Sequence, residues 1–360
     1  MNYRNDLSLI FHLSQKVYSR RLGGLFNTEP NMRRRQFNLG LAATASTSIP
    51  AGWLLMPTPV LAQSSKPLRL VVPFPPGGAT DITARVVAEP LSRMLGQPVI
   101  VENRAGAGGS IGMAEVAKAA PDGLTLGVAT LSTHGVNPSV YKKLPYDPIK
   151  DFVAVTELVK APGVLVVGAA LPVTNYAELI KYLKANPGKV TFASPGNGTI
   201  GHMWGELFKS TTNTFMVHIP YRGAGPALND VIAGQVNVYF DQVASSLPFI
   251  QSGKLRAIAV SWGKRLDVLP NVPTYGELAM FSNNDPSWFG LVAPAGTPTA
   301  AVKRIHEAVV AALKEPAIRD KLAAQGLFAS SSTPDDFAVQ VKKEIDKMQR
   351  IAKFAKISLD

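Results

Sequence analysis

An α/β protein of two units with a helical tail is the fold class that the sequence predicts, and three observations predict it. Short apolar runs alternate with segments whose apolar residues recur at helical spacing, the grammar of strand–helix–strand units with parallel sheets and helices on both faces. Glycine- and proline-rich turns follow several of these runs directly, where a strand would hand over to a helix. The same grammar starts afresh at residue 174, and no short-period repeat accompanies it. With 360 residues, 46% of them hydrophobic and 17% charged, the chain is long enough for two domains and too apolar for disorder throughout.

Residues 68–74 read as the first strand, 75–78 (Pro-Pro-Gly-Gly) as a turn, and 79–95 as a helix with Ile82, Val86 and Leu95 at helical spacing and a kink expected at Pro90. Residues 99–101 form a second strand, 109–119 a short helix closed by Pro121-Asp122-Gly123, and 124–131 a third strand. In the second unit a helix over 175–184 stops at Asn186-Pro187-Gly188. A strand at 190–194, a Gly-rich turn to 201 and a helix over 202–210 follow. Strands at 216–219 and 236–241 surround a helix at 224–233, and another strand spans 255–261. Residues 289–293 are apolar and extended, and helices over 300–314, 316–325 and 334–353 make the tail.

The sequence has no cysteine, which excludes disulfides, thiolate metal sites and cysteine nucleophiles. Its net charge is +12; residues 63–360 hold 30 basic and 23 acidic residues without a long Lys/Arg run. Phosphate backbones want clustered charge, so no nucleic-acid partner is expected. Residues 1–62 are expected to be an N-terminal extension and an export signal. Arg33-Arg34-Arg35 precedes an uncharged stretch to Ser65, with small or compact residues at Val60 and Ala62. The pair Arg34-Arg35 before Gln36-Phe37-Asn38-Leu39 resembles a twin-arginine signal, with cleavage expected after Ala62, a periplasmic destination and Met32 as a candidate start. The Ser, Thr, Gly and Pro content of 39–56 argues against a membrane anchor.

The most unusual local sequence is Pro73-Phe74-Pro75-Pro76-Gly77-Gly78-Ala79-Thr80-Asp81. Two glycines at a helix mouth expose backbone N–H groups, and the helix dipole favours an anion there. Asp81 is placed to cap that helix or to orient a bound water or amine, although a plain strand–helix connection would also want these glycines. Residues 194–201 contain a literal Gly-x-Gly-x-x-Gly after a strand. The next strand ends without the acidic residue a dinucleotide site uses, so the turn reads as a second anion seat with the Ser194 and Thr199 hydroxyls and bare amides near Gly198. Gly108-Gly109-Ser110-Ile111-Gly112 matches a hydrolase elbow in letters. It does not come straight off a strand, and Ser110 is expected to cap a helix. The histidines of the exported part are isolated in sequence, which disfavours a metal site; His202 is the one expected near a ligand, and Trp204, Phe208, Trp262 and Trp288 are expected in cores. Ser132 and Thr133 end the third strand and Asp241 ends the strand of the second unit, the ends at which open α/β sheets bind ligands.

Together these motifs resemble the Bug-type, TctC-like extracytoplasmic solute receptors of tripartite tricarboxylate transporters. The resemblance spans nearly all of 66–345. It rests on the 73–81 segment, Val101-Glu102-Asn103-Arg104 with its glycines to Gly109, Pro121-Asp122-Gly123, and Ser194 to Thr199. His218-Ile219-Pro220-Tyr221-Arg222-Gly223, 269–274 and 293–298 complete it. Leu124, where members often carry Tyr, and Asn284-Asp285-Pro286 depart from it. The resemblance implies a type II periplasmic-binding-protein fold, two α/β lobes joined by a double-crossing hinge. Lobe 1 is expected to comprise 63–165 with 292–360 and lobe 2 to comprise 166–291, with crossings near 164–168 and 289–293. It implies recognition of a carboxylate in the cleft, with contacts on Phe74, Gly77, Gly78 and Asp81 and on Ser194 to Thr199. The expected partners are a small carboxylate and the membrane subunits of a tripartite tricarboxylate-type transporter, or a sensor kinase. No cofactor, no metal and no enzymatic turnover are expected, and the chain is expected to be a monomer. A hydrolase or nucleotide-dependent enzyme on the same grammar is the alternative.

Overall fold

The computed structural model describes residues 66–359. The expected export signal, its cleavage site and Met32 lie outside them. The chain opens with β1 (Leu68–Val72), α1 (Ala79–Leu95), β2 (Val99–Asn103), α2 (Ser110–Ala117) and β3 (Thr125–Thr130). A π-helical turn over Ser132–Val136 leads into α3 (Asn137–Val140), and β4 (Phe152–Ala161) completes this part. After Pro162 come β5 (Gly163–Gly168), α4 (Tyr176–Ala185), β6 (Thr191–Ser194), α5 (Ile200–Thr212) and β7 (Val217–Pro220). Then follow α6 (Ala224–Ile232), β8 (Val238–Gln242), α7 (Val243–Gln251) and β9 (Leu255–Ser261). The tail is β10 (Ser287–Pro294), α8 (Thr299–Lys314), α9 (Pro316–Ala323), β11 (Phe328–Ala329) and α10 (Pro334–Phe354).

These strands form two sheets. One has six strands in the order β11-β4-β10-β3-β1-β2, the other five in the order β7-β6-β8-β5-β9. Helices cover both faces, so the central strands are buried on both sides and read as continuous apolar runs: every residue of β3, β5 and β10 is buried. Local signals set the ends. Asn175 caps α4 by accepting from Glu178 N at 3.0 Å while the Glu178 carboxylate takes Thr174 N at 2.7 Å, a reciprocal cap. Gly96 closes α1 in the left-handed conformation. The helix continues through Pro90. Among the described residues no helix is long and apolar enough to cross a membrane.

Two expectations change. Both sheets are mixed rather than parallel: β10 runs antiparallel to β3 and β4, and β5 antiparallel to β8 and β9. Only a crossover within one sheet imposes parallel pairing. β5 arrives from the other sheet across Pro162 alone, and β10 returns through residues 262–286, so neither is so constrained. The same geometry moves the crossings to Pro162 and to 262–286. The segments 164–168 and 289–293, expected to be crossings, lie inside β5 and β10, and boundaries at 165/166 and 291/292 would cut those strands.

The two sheets meet along a seam of close contacts. Ser132 Oγ accepts from Ile200 N at 2.9 Å, and Tyr141 OH donates to the Asn197 carbonyl at 2.9 Å. Glycines let the backbones approach: a Cβ at Gly108 would lie 2.6 Å from the Asn197 carbonyl oxygen, and one at Gly223 would lie 2.6 Å from the Pro75 ring. A Cβ at Gly198 would strike the Tyr141 ring. Trp262, just past β9, stacks on Phe328 of β11 with ring centroids 4.4 Å apart.

Candidate functional site

The segment from β1 to α1 is rigid by composition, with prolines at 73, 75 and 76 fixing φ. Gly77 takes φ 85°, which favours glycine, and donates its N–H to Asp81 Oδ2 at 3.0 Å. Asp81 also accepts from Arg85 Nε at 3.0 Å and from Asn103 Nδ2 at 2.9 Å, and the same Asn103 amide donates to the Phe74 carbonyl at 2.9 Å. Burial pushes the Asp81 pKa up, but the hydrogen bonds from Arg85, Gly77 and Asn103 together outweigh it and hold the carboxyl below its ordinary value. Asp81 therefore clamps the turn from behind. Its partners are Gly77 of the turn, Arg85 of α1 and Asn103 of β2.

The second turn runs from β6 to α5. Ser194 Oγ donates to the Gly196 carbonyl at 3.1 Å, accepts from Gly196 N at 3.2 Å and pairs with His218 Nε2 at 2.7 Å. Thr199 Oγ1 donates to the Gly196 carbonyl at 2.7 Å and caps α5 by accepting from His202 N. Both hydroxyls, expected as ligand donors, thus spend their hydrogen bonds inside the turn, because a turn containing Gly196 (φ 143°) and Gly198 (φ 72°) needs side chains to hold it. Several of the turn's amides are taken as well: Gly196 N by Ser194 Oγ, Gly198 N by His202 Nδ1, Thr199 N by the Gly196 carbonyl and Ile200 N by Ser132 Oγ.

The histidines are not isolated in space. His202 and His218 stack with centroids 4.1 Å apart, and His218 stacks in turn on Phe192 at 4.7 Å. Burial, then the Lys209 charge, lowers the His202 pKa to about 4; burial, then His202 and Lys209, lowers that of His218 to about 3. Burial lowers that of His134 to about 3. The unfolded chain binds protons near pH 6.5 that the folded chain refuses, so stability falls as pH drops from 6.5 toward 4, by up to about 1.4 kcal/mol per pH unit for each histidine. Urea unfolding at pH 7, 6 and 5 should show this decline, and His218→Gln should make it shallower. A wild-type profile flat over that range would contradict it.

Between the two turns lies a cavity of about 30 Å³. Four helix starts converge on it: Gly78, Ala79 and Thr80 of α1, Thr199 and Ile200 of α5, Ala224 of α6, and Gln242, the N-cap of α7. Phe74, Pro75, Pro195 and Phe289 supply apolar walls, and Thr130 and Ser132 close the side toward β3. No charged side chain lines it. Helix dipoles at these starts favour an anion, so the cavity is electropositive without an ion pair, although the N–H groups of Thr199 and Ile200 are already taken by the Gly196 carbonyl and Ser132 Oγ. Its volume corresponds to about two water-sized groups, the size of a carboxylate's two oxygens. An outer compartment of about 760 Å³ shares Phe74, Pro75 and Pro195 with it and extends past Tyr141, Asn197 and Arg222.

Of the residues singled out from sequence, Phe74, Gly78, Ser132 and Thr199 line the inner cavity. Gly77 and Asp81 stand behind the first turn; Ser194, Gly198 and His202 build or support the second. Thr133 is fully buried and bonded to Thr130 and His134. Asp241 is buried too, its Oδ2 accepting from Ser245 at 2.5 Å and Ser246 at 2.7 Å. Burial raises its pKa to about 6 against those two hydroxyls. Consecutive strand residues face opposite sides, and it is the next residue, Gln242, that lines the cavity. Ser110 is not the cap of α2: Gly109 holds that position and no side chain caps it. Asn197, inside the Ser194 to Thr199 turn, lines the outer compartment, and Tyr141 and Gln242, which no sequence signal singled out, line the outer and inner spaces.

Comparison with known proteins bears on this geometry. Residues 83–357 match the family described as tripartite tricarboxylate transporter family receptor, TctC. The chain is 36% identical over 308 residues to protein BugT of Bordetella pertussis, covering 85% of this chain and 94% of that one. An R. palustris protein solved with adipate is 35% identical with a TM-score of 0.79, covering 82% of this chain and 99% of that one. MatC of Rhodopseudomonas palustris, solved with bound malate, is 33% identical with a TM-score of 0.76, covering 80% and 99%.

Proposed function

Since this chain belongs to the tripartite tricarboxylate transporter family of receptors, we propose that it captures a small carboxylate in the cleft between its two sheets, in the periplasm, and delivers it to the membrane subunits of such a transporter. The observation that carries the reading is the convergence of four helix N-termini on one cavity without a charged side chain. An anion bound there gains amide hydrogen bonds, each worth about 1.5–3 kcal/mol to a charged group. Two similar proteins solved with adipate and with malate support the same chemistry.

In this reading 66–161 with 287–359 form one lobe and 163–261 the other. They hinge at Pro162 and within 262–286, and closure along the Gly108–Asn197 and Gly198–Tyr141 seam reports occupancy to the membrane partners. A thermal-shift screen of small carboxylates against their amides tests it. A ligand at a hundred times its Kd adds about 2.7 kcal/mol and raises Tm by about 5 °C. At least one carboxylate should do so, and its amide should not. No shift with any carboxylate across mono-, di- and tricarboxylates would overturn the proposal.

A further inference from the structure

We infer that Arg222 is a specificity residue that selects ligands carrying a second anion at the far end of an apolar chain; this rests on the carboxylate reading above. The inner cavity has room for one carboxylate but not for the body of a ligand. The rest must extend into the outer compartment. Phe74, Pro75 and Pro195 line both spaces, so the part of the ligand that passes between them meets one aromatic ring and two prolines and gains most from being apolar. Arg222 is the one charged side chain lining either compartment.

Its backbone is tied down, and its exposed side chain is unpaired. Tyr221 N donates to the Ser194 carbonyl at 3.0 Å and Gly223 N to the Pro195 carbonyl at 3.0 Å, so both neighbours of Arg222 are tied to the second turn. The nearby acid, Asp230, takes the Tyr221 hydroxyl at 2.6 Å. Among the described residues Arg222 makes no ion pair or hydrogen bond. An unpaired guanidinium beside a chamber that otherwise offers only neutral groups favours an anion and penalises a cation. The first carboxylate is held by amides alone, and Arg222 reads the other end.

Calorimetric titration with three six-carbon probes separates the two ends: hexanoate, adipate and 6-aminohexanoate share one carboxylate and differ only at the far terminus. Wild type should bind adipate tightest and 6-aminohexanoate weakest. Arg222→Gln should weaken adipate by about ten- to a hundredfold and leave hexanoate within about twofold; the retained hexanoate binding shows that the variant is folded. Arg222→Glu should invert the order, favouring 6-aminohexanoate over adipate. The inference is overturned if wild type binds adipate no better than hexanoate, or if Arg222→Gln binds adipate as wild type does. An equal loss of hexanoate and adipate would overturn it as well, and would place the ion pair on the first carboxylate. If wild type binds none of the three while the screen finds other carboxylates, this inference fails and the receptor reading stands.

Discussion

Alanine in place of Gly108 is expected to weaken carboxylate binding by about ten- to a hundredfold while leaving a folded protein. The added Cβ would lie 2.6 Å from the Asn197 carbonyl oxygen, a backbone atom of the opposite sheet's turn. Overpacking of this kind costs about 1–3 kcal/mol. The clash with Asn197 exists only when the two sheets are together, so it falls on the closed state and hence on affinity, while the lesser crowding of Asn137 Oδ1 at 3.2 Å is within its own side. The left-handed φ of 62° at Gly108 costs alanine about 1–2 kcal/mol more. That strain is present open or closed, so it lowers stability without touching binding. The displaced carbonyl is also the one that accepts from Tyr141 OH. Tyr141→Phe, which loses only that bond, should cost about two- to twelvefold, about 0.5–1.5 kcal/mol. Calorimetry with the best carboxylate, beside urea unfolding, separates the two costs. Wild-type affinity in Gly108→Ala would mean that this seam is not the ligand-bound arrangement.

Asp81→Ala should act in the opposite proportion, destabilising the protein by about 2–4 kcal/mol and weakening binding by about tenfold or more through the first turn. Three donors converge on this carboxylate, from Gly77, Arg85 and Asn103, and its side chain is 4% exposed. Arg85 is 53% exposed, so its half of the pair is screened and adds least. The larger part is the buried N–H of Gly77 and the amide of Asn103, which would lose an acceptor. Asp81→Asn keeps the volume but turns an NH2 toward donors, so it should recover less than half of the loss. Because the folded pKa is held below the unfolded value of about 3.9, the Asp81 contribution is complete above that pH and is lost as pH falls through the folded value. Unfolding by urea at pH 7 and at pH 3 should therefore show the wild-type and Asp81→Ala stabilities converging at the lower pH. Equal stability of the two at pH 7 would show that the clamp is not needed.

The elements bounded by strong local chemistry were legible in the sequence. The helix over 79–95 and the strand over 255–261 coincide with α1 and β9, since Gly-Gly and Gly96 bracket one and the other is a short, mostly apolar run around Ile258 and Val260. β4 and the helical turn at 132–140 were not foreseen. Thr156, Glu157 and Lys160 interrupt the apolar pattern of β4; the buried Glu157 pairs with Lys160 of the same strand at 2.6 Å, and the tertiary partner beside its carboxylate is Gln340 of α10. The site was legible as two turns but not as side chains. Asp241 lies near the end of β8, but strand parity turns the next residue, Gln242, to the cavity, and Asp81, Ser194 and Thr199 make hydrogen bonds that hold the turns, Thr199 also lining the cavity. The His202–His218 stack joins residues of two different elements, and no spacing rule reveals it.

The central claim is that amides at converging helix starts hold a carboxylate, and calorimetric titration of residues 63–360 with hexanoate and with hexanamide tests it most directly. The two probes have the same shape and differ in charge and in an NH2 that would face N–H donors. The account predicts saturable one-to-one binding of hexanoate and at least a hundredfold weaker binding of hexanamide, about 2.7 kcal/mol or more. Equal affinity for the two would contradict it, because the cavity would then be reading shape and not the anion.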